Sequence, residues 1–256
     1  MPRSSIVPSV LAACSRRASP QPGSSALISF FRLYLVLVVA AATLLAAGVL
    51  LRDRSPHGEG IFGAFDLADP ALVARGEYLA RAGNCASCHT APGGAFMAGG
   101  LPFETAFGTI HATNITPDPD TGIGAWTGRD FVGAMRHGVR PGGEHLYPVF
   151  PYTSYTKLRD EDLAAIWAWL RTLPAIRAET PANALDFPYG NRWLMAFWKT
   201  LYFDPGVFRP VPDRGAEENR GAYLVQALAH CGACHTPRGM LGAEREELFL
   251  AGGSYL

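Results

Sequence analysis

Two short clusters of cysteine and histidine are the residues of this chain best suited to chemistry. The sequence reads CASCH at 85–89 and CGACH at 231–235. Two thiols spaced in this way on a tight turn can each add across one vinyl group of a haem, and the histidine that follows can bind the iron. The pattern therefore predicts two covalent haem c sites, with histidine as the fifth iron ligand. The attachment residues are Cys85, Cys88, His89, Cys231, Cys234 and His235, of which His89 and His235 are the axial ligands.

The same cysteines could instead bind zinc or form a thiol redox pair. A structural zinc ion needs four ligands that close one site, whereas the two motifs are far apart in the sequence. Each motif also follows a copy of one phrase, RGEYL at 75–79 and RGAYL at 220–224. This repeated frame favours haem, and zinc and thiol chemistry stay open as alternatives.

The composition argues against one class of partner. The chain of 256 residues has 22 basic and 22 acidic side chains, so its formal charges balance. A nucleic-acid partner would require a basic face, and none is predicted. Glycine and proline are plentiful, with 28 and 20 copies, which predicts long loops.

An uncharged apolar run occupies 33–51 and reads LYLVLVVAAATLLAAGVLL. As a helix it would span about 28 Å, close to the thickness of a bilayer core. The excess of arginine before it predicts a cytoplasmic tail at 1–32, with everything after the run in the periplasm. We therefore expect an uncleaved signal-anchor helix in the bacterial cytoplasmic membrane. A cleaved signal peptide and a buried core helix are the alternatives.

The internal repeat predicts how the rest of the chain is organised. A linker at 52–70 leads to a complete haem domain at 71–175. A second haem domain occupies 217–256. It is incomplete, which indicates a C-terminal truncation. The segment between them, 176–216, is rich in aromatic residues. It either docks on a partner subunit or the membrane surface, or packs between the haem domains.

The predicted fold is all-α, with the transmembrane helix followed by domains like those of class I cytochromes c. In such a domain the first and last helices cross, and a glycine at the crossing allows close approach. The candidate contact residues are Gly76, Tyr78, Trp167 and Trp169.

Four longer phrases carry a resemblance to a known family. They read GGLPFETAFGTI, TNITPDPDTGIGAW, AMRHGVRPGGEHLYP and HCGACHTPRGMLGAE. These phrases resemble the cytochrome c subunits of membrane-bound bacterial dehydrogenases, which act on alcohols, gluconate, sorbitol, fructose, aldehydes or N-heterocycles. The resemblance covers 71–253. It implies that the chain is not itself an enzyme and that it transfers electrons from a dehydrogenase catalytic subunit towards ubiquinone or a terminal oxidase.

One departure from the family concerns the sixth ligand of the first haem. Many relatives have a methionine in the context YPxMPY, whereas 147–152 reads YPVFPY, with Phe150 at the methionine position. The candidates to replace it are Met135, His137 and His145, and we select Met135 as a possible ligand. If none of them binds, the open iron would suit a ligand-binding sensor or an enzyme, which is the alternative function.

Overall fold

The computed structural model describes residues 24–52 and 60–253, and within the first helix it describes the side chains of 28–44 and 47. The chain divides into two compact units, Met1–Gly48 and Val49–Leu256. Parts of the predicted tail, linker and second domain lie outside the described residues, namely 1–23, 53–59 and 254–256.

The first helix, α1 (Ser24–Arg52), contains the apolar run. Among the described residues, no helix combines the length and the hydropathy that a membrane span requires. The predicted transmembrane helix at 33–51 is therefore wrong.

The second unit contains the helices that frame the two cysteine motifs. They are α2 (Pro70–Ala82), α3 (Cys85–His89), α4 (Gly128–His137), α5 (Tyr152–Tyr155), α6 (Asp160–Leu170), α7 (Leu194–Tyr202), α8 (Ala216–Tyr223) and α9 (Gly232–His235). A π-helical turn at Leu224–Leu228 continues α8, and 3-10 turns occupy Ile61–Ala64 and Glu246–Leu248.

Capping side chains explain where two of these helices begin. Asp69 accepts a hydrogen bond from the amide of Ala71 at 2.9 Å, and Pro70 occupies the first turn of α2. Thr127 and Asp130 form a reciprocal capping box at the start of α4. The local sequence therefore fixes the start of α2, the helix that ends just before the first cysteine motif.

Helices α2 and α6 cross at Gly76, as the sequence predicts. A Cβ atom on Gly76 would lie 1.9 Å from the carbonyl oxygen of Ala165 and 2.8 Å from Cβ of Trp169. Only glycine permits such an approach. The expectation for Tyr78 is wrong, because this side chain is 60% exposed. Two positions along a helix point to nearly opposite faces, so Gly76 and Tyr78 cannot both face α6.

The all-α prediction is also wrong, because the loops contain short strands. They are β1 (Pro102–Thr105), β2 (Gly108–His111), β3 (Val139–Arg140), β4 (Glu144–His145) and β5 (Ala184–Leu185). They pair antiparallel, in the order β1-β2-β5 and as the hairpin β3-β4. Gly108 begins β2 with a φ of 108°, and a Cβ there would lie 2.3 Å from the carbonyl oxygen of Ala184. Such short strands have too little alternation to be recognised from the sequence.

The two haem-motif regions share one hydrophobic core. Leu79 of α2 and Trp167 of α6 belong to the same buried cluster as Tyr223 and Leu228, which precede the second motif. All four side chains are at most 4% exposed. The residues that precede the second motif therefore pack directly against the helices on either side of the first motif.

The aromatic segment packs between the two motif regions. Nε1 of Trp198 donates a hydrogen bond to the carbonyl oxygen of Leu241 at 2.8 Å. Trp198 also belongs to a small buried cluster with Tyr152 and Ala243. These contacts favour the inter-domain interpretation of this segment, although Trp193 at the start of α7 stays exposed.

Candidate haem-attachment sites

The first cysteine motif folds as a short helix directly after α2. The amide of Gly83 donates to the carbonyl oxygen of Leu79 at 2.7 Å, and Asn84 takes a left-handed φ of 58°. This change of direction starts α3 at Cys85. Cys85 and Cys88 are half-buried and form no disulfide. Both thiols are therefore available for covalent bonds to a prosthetic group.

The ring of His89 is oriented by a backbone hydrogen bond. Its Nδ1 atom lies 2.7 Å from the carbonyl oxygen of Thr113, and because a carbonyl only accepts, Nδ1 carries the proton. Nε2 then keeps its lone pair, which is the tautomer that an iron ligand requires. Burial lowers the pKa of His89, and the bond to Thr113 opposes this effect. Thr113 follows His89 by 24 residues, and nothing in the spacing of the motif signals its role.

Burial and neighbouring thiols raise the pKa values of Cys85 and Cys88, and one of these thiols belongs to the second motif. Burial is the main cause that raises the pKa of Cys85 to about 12, and Cys88 adds to it. Burial also raises the pKa of Cys88, and here the second contribution comes from Cys234. Cys85 and Cys88 are therefore neutral thiols at physiological pH, and Cys88 and Cys234 belong to one region of the molecule.

The second motif adopts the backbone conformation of the first. His230, the residue before the motif, has a left-handed φ of 41°. In the first loop the amide of Gly99 donates to the carbonyl oxygen of His89 at 2.8 Å. In the second loop the amide of Gly252 donates to the carbonyl oxygen of His235 at the same distance. Each motif is thus closed by the first glycine of an Ala-Gly-Gly sequence that follows it, at 98–100 and at 251–253.

A threonine–amide hydrogen bond also recurs. The amide of Met97 donates to Oγ1 of Thr90, and the amide of Leu250 donates to Oγ1 of Thr236, each at 3.1 Å. Met97 and Leu250 both have left-handed φ values, 61° and 59°, which such side chains rarely adopt. The same unusual conformation at equivalent positions makes the second motif a structural copy of the first.

An arginine that the sequence did not single out supports the second motif. Arg238 donates to the carbonyl oxygens of Ala233 at 2.9 Å and Gly242 at 2.6 Å. The carboxylate of Glu244 lies 3.7 Å from the same guanidinium group. The ring of His235 is exposed beside this turn. Arg238 therefore ties the second motif to the loop that follows it.

His145 is unsuited to be the sixth ligand of the first haem. The ammonium group of Lys199 lies 2.8 Å from Nδ1 of His145. Because an ammonium group only donates, Nδ1 accepts, and Nε2 of the neutral ring holds the proton. Both ring nitrogens are then unavailable to iron. The same ammonium group donates to the carbonyl oxygens of His137 and Gly138.

Met135 lies in the main core and stays the candidate sixth ligand. It is 6% exposed on α4, in the core that Cys85 and Phe150 pack against. The ring of Phe150 packs against Tyr155, with 5.5 Å between their centroids. Phe150 thus fills its position with an apolar contact and supplies no iron ligand.

The donor groups of both motifs suit haem c, since they offer two unpaired thiols followed by a histidine. At the first motif the histidine tautomer is also correct. A zinc site would require converging ligands, and across 24–52 and 60–253 no three or more His, Cys, Asp or Glu side chains are arranged to hold a metal ion.

Known proteins are similar to this chain over most of its length. A family model described as Cytochrome c matches residues 73–174. The chain is 48% identical over 200 residues to a nicotinate dehydrogenase subunit of Pseudomonas putida, covering 78% of this chain and 16% of that protein. It is 46% identical over 185 residues to the gluconate 2-dehydrogenase cytochrome c subunit of Pantoea cypripedii, covering 71% and 42%. It is 45% identical over 199 residues to a diheme cytochrome c-type protein of Cereibacter sphaeroides, covering 73% and 67%.

This chain belongs to the cytochrome c family. Within that family it is a relative of the cytochrome subunits of bacterial dehydrogenases. It spans less than half the length of the nicotinate and gluconate dehydrogenase subunits that it matches.

Proposed function

We propose that this chain is an electron-transfer cytochrome with two covalent haem c groups. It accepts electrons from the catalytic subunit of a dehydrogenase and passes them towards ubiquinone or a terminal oxidase. The observation that carries the proposal is the pair of matching cysteine motifs packed on one core. The names of the relatives, which include subunits of nicotinate and gluconate dehydrogenases, support a dehydrogenase as the partner.

The side chains around each motif have distinct roles in this proposal. The four cysteines anchor the haem groups, which when bound supply a one-electron ferric–ferrous couple. Thr113 holds the proton on Nδ1 of His89 and so keeps Nε2 available. Arg238 keeps the second motif in its turn. None of these roles requires proton transfer to a substrate, in keeping with a carrier rather than a catalyst.

The proposed location is the periplasm, at the face of the cytoplasmic membrane where quinone and oxidase acceptors receive electrons. The family resemblance and the attachment of bacterial haem c outside the cytoplasm support this location. Fractionation of the native host would test it, with covalent haem staining as the readout. Recovery of the haem-stained chain in the cytoplasmic fraction would contradict it.

Haem reduction by a dehydrogenase tests the function directly. The purified holoprotein is mixed with the catalytic subunit of a gluconate or nicotinate dehydrogenase and its substrate, and the haem absorption is followed. We expect the ferrous spectrum only when the catalytic subunit and its substrate are both present, and reoxidation when a water-soluble ubiquinone is added. A protein that dithionite reduces but no such subunit reduces would contradict the proposal.

Phe150 supports one alternative function. It stands where many relatives have an iron-binding methionine, and it packs against Tyr155 instead. An open first iron would suit a sensor or enzyme that binds small ligands. Carbon monoxide added to the reduced protein distinguishes the two functions, because a six-coordinate carrier keeps its spectrum and an open iron changes it.

A further inference from the structure

One backbone carbonyl joins the two cysteine motifs. The carbonyl oxygen of Gly83 accepts a hydrogen bond from the hydroxyl of Tyr155 at 3.0 Å, and Nε2 of His230 lies 3.3 Å from the same oxygen. The rings of Tyr155 and His230 meet edge to face, with 5.4 Å between their centroids. Gly83 lies two residues before Cys85, and His230 lies directly before Cys231. The contact therefore links the segments that immediately precede the two motifs.

The conformation of the turn does not by itself explain why this residue is histidine. His230 has a φ of 41°, and the equivalent residue of the first motif, Asn84, has a φ of 58°. Asparagine adopts this region readily, so asparagine would satisfy the turn in both places. What histidine adds is a ring long enough to reach Gly83.

The protonation of the His230 ring follows from its contacts. Because the carbonyl of Gly83 only accepts, Nε2 donates to it. Nδ1 is buried and has no hydrogen-bond partner among the described residues. Among the described residues, the ring of His230 therefore hydrogen-bonds through Nε2, to the carbonyl oxygen of Gly83.

Packing beside the hydrogen bonds keeps the two motifs together. Leu228 is fully buried, and its side chain would lie 3.3 Å from a Cβ on Gly83. Tyr155 is 5% exposed, and Cys85 and Cys88 contribute to the rise in its pKa that burial causes. Cys234 of the second motif also contributes to the raised pKa of Cys88. The contact at Gly83 thus lies within the region where both motifs meet.

We propose that His230 is a positioning residue which, together with Tyr155, fixes the second haem-attachment turn against the first through the carbonyl of Gly83. The separation of the two haem groups, and therefore the strength with which the oxidation of one affects the other, depends on this contact. The inference rests on the proposed function in that both motifs must carry haem.

Two substitutions in the holoprotein test the role of the contact. His230→Asn keeps a residue that tolerates the left-handed turn, matches Asn84, and is too short to make the bond to Gly83. Tyr155→Phe removes only the hydrogen bond from the Tyr155 hydroxyl to Gly83. It tests the contact if His230→Asn folds poorly. Tyr78→Phe is the control, because Tyr78 is exposed.

The readouts are the covalent haem count, the magnetic interaction between the two ferric haems in electron paramagnetic resonance, and the two reduction potentials. In His230→Asn and Tyr155→Phe we expect two haems, a weaker magnetic interaction and a smaller separation between the potentials. The control should match the parent protein. If both variants carry two haems with unchanged magnetic interaction and unchanged potentials, the positioning role of His230 is overturned and the proposed function stands. A parent protein with fewer than two haems would overturn the proposed function.

Discussion

The hydroxyl of Tyr223 donates a hydrogen bond to Oδ2 of Asp162 at 2.5 Å, and both residues are fully buried. Oδ1 of the same carboxylate accepts a hydrogen bond from Nε of Arg75 at 3.1 Å. Arg75 and Tyr223 come from the two copies of the RGxYL phrase. One carboxylate on α6 therefore binds both copies of the repeat, and it uses a different residue of each.

Replacing Tyr223 with phenylalanine tests this link. The hydroxyl donates to a charged group, and a hydrogen bond of this kind contributes about 1.5–3 kcal/mol. We expect Tyr223→Phe to lower the free energy of unfolding by that amount, measured by chemical denaturation of the holoprotein. Tyr78→Phe is the matched control and should change it by less than about 0.5 kcal/mol. Equal effects of the two substitutions would contradict the link.

The crossing of α2 and α6 makes a second prediction. Gly76→Ala places a methyl group against the backbone of Ala165, which cannot move aside, so we expect a loss of about 3 kcal/mol or more in unfolding free energy. The repeat supplies the control, because a Cβ on Gly221 meets no atom within 4 Å. Gly221→Ala should be neutral or stabilising by up to about 1 kcal/mol, since alanine is the better helix former. Similar losses in both variants would argue against the crossing.

The sixth ligand of the first haem makes a third prediction. Met135→Leu keeps the apolar volume and removes the sulfur, so we expect the first haem to become high-spin in its absorption spectrum. His145→Gln should leave the spin state unchanged, because Lys199 occupies Nδ1 of His145. A spectrum that responds to His145→Gln and not to Met135→Leu would reverse this assignment.

The support that Arg238 gives to the second motif makes a fourth prediction. Arg238→Met leaves the carbonyl oxygens of Ala233 and Gly242 without this charged donor, at a cost of about 1–3 kcal/mol. We expect fewer chains with haem on the peptide that contains Cys231, measured by mass spectrometry, and no change at Cys85. Arg245→Met is the control, because Arg245 pairs with Glu247 in an exposed position. A loss of haem at both motifs would contradict a local role.

The sequence predicts the features that depend on neighbouring residues. The cysteine motifs, the repeat that frames them and the close approach at Gly76 all follow from spacing and from what glycine allows. The repeat does not predict burial, because its equivalent residues Tyr78 and Tyr223 are exposed and buried, respectively. Their burial depends on which face of each helix meets α6, and that is decided by tertiary packing.

Features that join distant parts of the chain could not be predicted from the sequence. The carbonyl of Thr113 reaches His89 because the β1-β2 hairpin returns the chain there. Every residue has a backbone carbonyl, so the residue type does not indicate which one binds His89. The strands themselves are too short to show a recognisable alternation. The length of the uncharged run in α1 and the arginines before it predict a membrane span, which the described residues do not support.

The number of covalent haem groups per chain tests the central claim most directly. The protein would be produced with the bacterial haem-attachment machinery, denatured, and measured by the pyridine haemochrome assay together with the mass of the intact chain. We expect two haems per chain, and one after joint Cys231→Ala and Cys234→Ala substitution. A parent chain that carries a single haem, or none, would contradict the account.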